Sequence, residues 1–158
     1  MRPDDKPHLI DRVLQDNETV TLGGETLIAH RTPGHTPGCT SWELDVEEND
    51  RTYTALINCS IGVNPDYQLY QNSDRPDIVA DYRYSYGMLR SLDIDIPLWG
   101  LGGSHPGMYN LTDKYERIGE TPNPFIDPGG YLYEIAINEQ AMGLRLEEQR
   151  RAAEAGNR

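Results

Sequence analysis

The sequence predicts a mixed α/β protein in which antiparallel strands come first and helices follow. Polar and apolar residues alternate on both sides of Gly23-Gly24, which is the pattern of a β-hairpin. Between residues 77 and 92, apolar residues recur about every 3.6 positions, as on one face of a helix. Asp127 followed by Pro128 is typical of the start of a second helix.

Four strands are expected in the first sixty residues. The first hairpin pairs residues 18–22 with residues 25–30 through a primed turn at the two glycines. The second hairpin pairs residues 41–46 with residues 52–58 across a charged turn. Because hairpins join strands that are adjacent along the chain, we expect all four to be antiparallel neighbours.

The second half of the chain is predicted to be mainly helical. Residues 59–76 contain Gly, Pro, Asn and Asp at turn-forming positions and should form a long surface loop. A helix from residue 77, a short strand at 95–99, a brief helix around 112–117 and a long helix from 128 to about 151 follow. The expected buried stripes are Ile78, Val79, Tyr82, Tyr86, Leu89 and Leu92 on the first helix, and Tyr131, Ile135, Met142 and Leu146 on the last.

Composition limits the classes of partner. The 158-residue chain has 14 Lys and Arg against 26 Asp and Glu, a net charge of −12, which argues against nucleic acid and anionic membranes as partners. No run reaches the length of a transmembrane helix, and residues 1–7 lack the apolar segment of a signal peptide. Ten tyrosines and one phenylalanine predict a core whose hydroxyls need hydrogen-bond partners.

The cysteines, Cys39 and Cys59, are too few for a disulfide framework. They can pair only if two adjacent loops bring them together, and buried free thiols are the favoured interpretation. Cys59 is also a candidate soft zinc ligand, although a buried thiol at the end of a strand is preferred.

Two strand-end loops each present one histidine. His35 lies in residues 32–38, where two prolines and two glycines exclude a helix and shape the backbone. His105 follows the predicted strand at 95–99 in a glycine-rich loop. Rigid loops suit metal ligands because they fix the direction of the ring. The spacing alone also allows two unrelated loop histidines.

Three further polar residues are candidates for the site. His30 lies on a strand and His8 in the polar lead-in, and both are interpreted as non-ligands. Ser60 ends the fourth strand. It either caps the turn or hydrogen-bonds to a metal-bound water or a substrate carboxylate.

Several motifs together resemble one known family. The stretch Gly-His-Thr-Pro-Gly-Cys-Thr-Ser-Trp at residues 34–42 closely resembles the third histidine motif of the metallo-β-lactamase fold, and specifically that of class B β-lactamases of the third subclass. The resemblance covers nearly the whole chain, through residues 11–14, 19–24, 64–69, 81–85, 103–109 and 123–128.

This resemblance implies the C-terminal half of an αββα sandwich, present as a single partial domain over residues 1–158. It also implies a site that holds two zinc ions in the intact family. His35 matches the third histidine of the first zinc, and His105 matches the histidine of the second. Ser60 matches a serine beside the second metal and is a candidate substrate-binding residue. No catalytic side-chain nucleophile is implied, because a zinc-activated hydroxide attacks the β-lactam carbonyl.

One family motif is missing. His-x-His-x-Asp-His supplies most of the zinc ligands in the family, and nothing like it occurs in this sequence. The first hypothesis is therefore a fragment of a zinc-dependent β-lactam hydrolase, inactive alone, from a family that is usually periplasmic. The second is a non-catalytic remnant, or a subunit that self-associates or pairs with a separate N-terminal half. The third is a hydrolase of the same fold with another substrate, such as a lactone.

Overall fold

The computed structural model describes residues 10–99 and 107–156, without the side chains of residues 107–111. Within these ranges a sheet contains, in spatial order, β1 (Glu18–Leu22), β2 (Glu25–Arg31), β3 (Thr40–Glu48), β4 (Arg51–Asn58) and β5 (Ile96–Trp99). The helices are α1 (Ile78–Ser91), α2 (Gly107–Glu116) and α3 (Pro128–Gly156). None of these described helices combines the length and the apolar character needed to cross a membrane.

The two predicted hairpins are confirmed. β1 pairs with β2, β2 with β3, and β3 with β4, in each case antiparallel. Gly23 and Gly24 have φ values of 63° and 95°, and Asn49 and Asp50 have values of 52° and 59°. Positive φ at both central residues matches the turn to the twist of the paired strands. The second turn therefore needs only two residues, and its strands run longer than predicted.

The later elements occur in the predicted order, although the sequence did not predict the partner of β5, and α3 runs to Gly156, beyond the predicted residue 151. β5 pairs with β4 in parallel, which requires a crossover that α1 provides. α2 begins at Gly107, earlier than the predicted residue 112. α3 begins at Pro128 as predicted, and Asp127 Oδ1 accepts the Gly130 N–H at 2.8 Å as a side-chain cap.

The core packs α1 and α3 against one face of the sheet. Its buried members are Leu56, Ile61, Leu69, Ile78, Tyr82, Tyr86, Leu89, Ile94, Tyr131, Ile135 and Met142. Most of the predicted stripe residues therefore lie in the core, and Val79, Leu92 and Leu146 pack against it. The core tyrosines donate to backbone carbonyls as expected, with Tyr86 bonded to Ile61 at 2.8 Å and Tyr131 bonded to Leu89 at 2.6 Å.

The opposite side of the sheet is also apolar, and we name it the Trp42 face. Alternation along the strands and the pairing registers place on it Leu27, Trp42, Leu44, Val46, Ile57, Ile96 and Leu98. None of these residues belongs to the core cluster or packs against it. Trp42 and Leu44 are half-buried, and Ile57 is 37% exposed. A sheet face of this composition normally packs against a second layer.

The favoured interpretation of the cysteines as free thiols is wrong. Cys39 and Cys59 form a disulfide whose Cα atoms lie 5.8 Å apart. Cys39 directly precedes β3 and Cys59 directly follows β4, so the antiparallel pairing brings the two together. The predicted hairpin already contained this information, because both cysteines lie ten residues from its centre at residue 49.

Replacing both cysteines, Cys39→Ser with Cys59→Ser, is expected to lower the free energy of unfolding by about 3 kcal/mol, because a cross-link over a separation of 20 residues restricts the unfolded chain. Urea denaturation followed by circular dichroism measures the change. Wild-type protein treated with reductant is the control and should lose a similar amount. Equal unfolding midpoints for the oxidised wild type and the double variant would show that the bond contributes nothing.

Candidate metal-binding site

His35 lies in the loop between β2 and β3. The Thr32 N–H donates to the Cys39 carbonyl at 2.9 Å and closes the base of the loop. Inside it, the Gly34 and Cys39 N–H groups both donate to the Thr36 carbonyl, at 3.2 and 3.3 Å. The loop is thus a compact series of turns, as its prolines and glycines predict.

A hydrogen bond of the His35 ring indicates its tautomer. Nδ1 lies 3.2 Å from the carbonyl oxygen of Gly62. Because a carbonyl can only accept, Nδ1 carries the proton in this contact. Nε2 then holds the in-plane lone pair, which is the form that binds a metal. The ring is half-buried, and its geometry fits a metal-ligand role.

Side chains from outside the loop hold its backbone. Three successive carbonyls, those of residues 33–35, each accept a hydrogen bond. The donors are, in order, Ser85 Oγ at 2.5 Å, Arg75 Nη2 at 2.7 Å and the Tyr67 hydroxyl at 2.8 Å. These donors come from α1 and from the segment 59–76. The backbone that carries the ring is therefore fixed by two other parts of the chain.

Gly34 is required by both its backbone and its surroundings. Its φ is 138°, and a Cβ at this position would lie 2.7 Å from Cδ1 of the Tyr82 ring. The Tyr82 hydroxyl in turn donates at 3.0 Å to the Gly62 carbonyl, which is the acceptor of the His35 ring. Burial raises the pKa of Tyr82 far above its ordinary value, so the hydroxyl keeps its proton. The close approach of Gly34 thus places Tyr82 where it can hold Gly62.

A buried hydroxyl, Ser41, joins the base of the loop to the end of β4. It donates to Asn58 Oδ1 at 2.8 Å. Because a hydroxyl has a single proton to donate, Ser41 must accept in its 2.9 Å contact with Thr32, and the Thr32 hydroxyl donates. The Cys59 N–H also donates to Ser41, at 3.0 Å. Together with the disulfide, these bonds fix the start of the segment that carries Ser60.

Ser60 and Cys59 directly follow β4, shortly before the Gly62 carbonyl that contacts the His35 ring. Ser60 is half-buried and lies two residues before Gly62. Cys59 is in the disulfide and has no thiolate to offer a metal. In residues 10–99 and 107–156, no group of three or more His, Cys, Asp and Glu side chains is placed to hold a metal ion. The described part of the chain therefore contributes single candidate ligands.

The other histidines are placed as follows. His30 is buried, and its Nε2 lies 2.8 Å from a Glu43 carboxylate oxygen, so its ring has a protein partner. His8 and His105 lie outside the described residues. The pairing of His35 with His105 in one site stays a prediction.

The residues that surround His35 were not predicted from the sequence. Tyr67 and Ser85 lie in stretches 64–69 and 81–85, which carry the family resemblance, so a signal for them was present. Arg75 lies between those stretches, and no motif marks it. Its contact with the loop follows from the way the segment 59–76 folds back.

No model of a protein family matches this sequence. Solved structures do match. The native FEZ-1 metallo-β-lactamase from Legionella gormanii has a TM-score of 0.82 at 41% identity, over 92% of this chain and 54% of that one. BJP-1, a subclass B3 enzyme of Bradyrhizobium japonicum, has a TM-score of 0.82 at 34% identity, over 93% and 55%. LRA-12, a class B3 di-zinc metallo-β-lactamase from an Alaskan soil metagenome, has a TM-score of 0.75 at 27% identity, over 89% and 52%.

These matches confirm the predicted fold, a mixed α/β sheet followed by helices within the metallo-β-lactamase sandwich. The chain spans about half the length of the enzymes it matches. Identity and coverage agree with the motifs that run from residue 11 to residue 128. Over nearly its whole length, the chain therefore corresponds to about half of a class B3 metallo-β-lactamase.

Proposed function

We propose that this chain supplies part of the active site of a zinc-dependent hydrolase that opens the β-lactam amide, an activity that confers antibiotic resistance. The observation that supports it most directly is the contact of His35 Nδ1 with the Gly62 carbonyl, which favours the tautomer with its lone pair on Nε2, the nitrogen that would coordinate zinc. The solved structures that match the chain are named as metallo-β-lactamases, and one of them as a di-zinc enzyme.

The proposed roles follow the family motifs. His35 would hold the first zinc and His105 the second. Bound zinc supplies Lewis acidity and makes hydroxide available near neutral pH. The Gly62 carbonyl holds the His35 proton on Nδ1, so that Nε2 is presented in one direction. Ser60 would hydrogen-bond to the substrate carboxylate from the neighbouring segment.

Two histidines do not complete two zinc sites. A tetrahedral catalytic zinc normally has three protein ligands, and the described residues contain no group of three. We therefore propose that the chain acts only with the part of the enzyme that it does not contain.

The disulfide supports a proposed periplasmic location. Disulfides persist in oxidising compartments and are rare in the cytosol. The bond between Cys39 and Cys59 is therefore more compatible with an exported protein. The acidic surface supports the proposal that neither nucleic acid nor an anionic membrane is a partner.

The isolated chain is expected to bind zinc weakly, because a single imidazole, or two, leaves most coordination positions to water. Equilibrium dialysis with elemental analysis measures the stoichiometry, with His35→Ala as the control for binding at the proposed ligand. Stoichiometric zinc that resists a chelator would mean that the chain carries a complete site.

The isolated chain is also expected to show no measurable β-lactam hydrolysis. A chimera that adds the missing half from a relative with His-x-His-x-Asp-His should regain turnover of a chromogenic cephalosporin in the presence of zinc. In the chimera, His35→Ala and His105→Ala should each remove one zinc and most of the activity. Chelator-sensitive turnover by the chain alone would contradict the proposal.

A second candidate function is that of a subunit whose partner carries the other half of the site. The Trp42 face favours it, because its apolar side chains lie outside the core cluster and would be covered by a second sheet. The same face accounts for the expectation that the chain self-associates when no partner is present.

Ile57→Glu on the Trp42 face is expected to weaken binding of a separately produced N-terminal half by about tenfold or more, because the interface would bury a charge. Ile137→Glu on α3 is the matched control, since Ile57 and Ile137 are both 37% exposed. Sedimentation velocity of mixtures at several concentrations measures the binding. Equal losses for the two variants would show that the Trp42 face is not the contact surface.

A further inference from the structure

We propose that Arg75 is a positioning residue for His35, and that it fixes the backbone on both sides of this candidate ligand. Its guanidinium donates through Nη2 to the Gly34 carbonyl at 2.7 Å and through Nη1 to the His35 carbonyl at 3.3 Å. The effect of Arg75 on zinc rests on the proposed function, whereas its effect on the loop does not.

The two acceptors explain why this contact controls direction. The Gly34 carbonyl belongs to the peptide group that precedes the His35 Cα, and the His35 carbonyl belongs to the one that follows it. Holding both groups with one rigid, planar donor restricts φ and ψ at His35 together. The direction of the Cα–Cβ bond, and with it the ring, then has little freedom.

Arg75 is itself held in place. Its Nη2 lies 3.8 Å from Asp81 Oδ2 on α1, and the two side chains are only 24% and 29% exposed. The backbone N–H of Arg75 donates to Asn72 Oδ1 at 2.8 Å. The guanidinium thus connects the segment 59–76, α1 and the His35 loop, and it is shielded enough for its charge-assisted bonds to matter.

The neighbouring donors cannot replace it. The Tyr67 hydroxyl shares the His35 carbonyl but reaches no other carbonyl of the loop among the described contacts. Ser85 holds the carbonyl of Pro33, one peptide group further away. A lysine at position 75 would offer a compact ammonium in place of a planar fork, and it would hold one carbonyl well and the other poorly.

The first test uses the full 158-residue chain without metal. Arg75→Met removes the donors and keeps much of the aliphatic stem, and Arg75→Lys keeps the charge. Arg83→Met is the matched control, because Arg83 is exposed on the neighbouring helix α1 and its loss changes the net charge equally. Hydrogen–deuterium exchange by mass spectrometry compares peptides from the loop at residues 32–39 with peptides from β3 and β4.

Arg75→Met should raise exchange in the loop peptides by about tenfold or more, the size expected for loss of a charge-assisted hydrogen bond. Loop exchange in Arg75→Lys should lie between that of Arg75→Met and that of the wild type, and loop exchange in Arg83→Met should equal that of the wild type. Exchange in β3 and β4 should not change. A rise of equal size throughout the chain would mean that Arg75 only stabilises the fold. Such a rise throughout the chain would overturn the proposal. So would unchanged exchange in the loop of Arg75→Met, or a wild-type loop whose amides are not protected from exchange.

The second test measures zinc affinity in the chimera by competition with a chelator. Arg75→Met should weaken binding by about 10–100-fold, as is typical for groups that orient metal ligands, and Arg83→Met should have no effect. Equal affinities for Arg75→Met and the wild type would overturn the positioning role toward zinc. If the chimera binds zinc, and Arg75→Met weakens that binding while Arg83→Met does not, but no chimera hydrolyses β-lactams, the proposed function is refuted. The positioning role of Arg75 would remain intact.

Discussion

The hydrogen bond from His35 Nδ1 to the Gly62 carbonyl is the contact on which the candidate site depends. It selects the tautomer with the lone pair on Nε2, and it holds only if both partners keep their places. Tyr82 secures the acceptor, because its hydroxyl donates to the same oxygen. Its ring lies against Gly34, where a side chain would collide with it. Helix α1 therefore shapes the site through hydrogen bonds and contact, without offering a metal ligand itself.

The sheet provides the fixed base for that contact. β3 begins just after the His35 loop and β4 ends just before Ser60, so their antiparallel pairing brings together two segments that are distant in sequence. The disulfide and the Ser41 hydroxyl join the same two segments next to the pairing. Buried hydroxyls are stable only when they have partners, and Ser41 has three. The relation of the His35 loop to the segment 59–76 is thus set by the covalent bond, the strand register and buried polar contacts together.

Local patterns predicted most of the fold, and long-range contacts account for most of what they did not predict. The glycine pair at 23–24 and the cap at Asp127 are signals confined to a few residues, and both were confirmed. The disulfide was implied by the second hairpin, whose ends carry the two cysteines, whereas the parallel pairing of β5 depends on which distant segments meet, which periodicity does not report. The same holds for the donors to the His35 loop: Tyr67 is 32 residues from the carbonyl it holds, and Ser85 is 52 residues from its own. Sequence therefore indicated the candidate ligand, whereas its supporting groups became visible only in three dimensions.

The positions of the supporting groups have an energetic consequence for half a site. A metal held by one imidazole gains little from a fixed ring, since water completes its coordination shell in any orientation. A fixed ring matters when several ligands must converge on one ion, because each ligand that is already in place spares the cost of ordering it on binding. The bonds from Arg75, Tyr67 and Ser85 to the His35 loop would therefore contribute to zinc affinity only when the remaining ligands are present. In the isolated chain these bonds order the loop, and that order would affect zinc binding only once a partner segment supplied the remaining ligands.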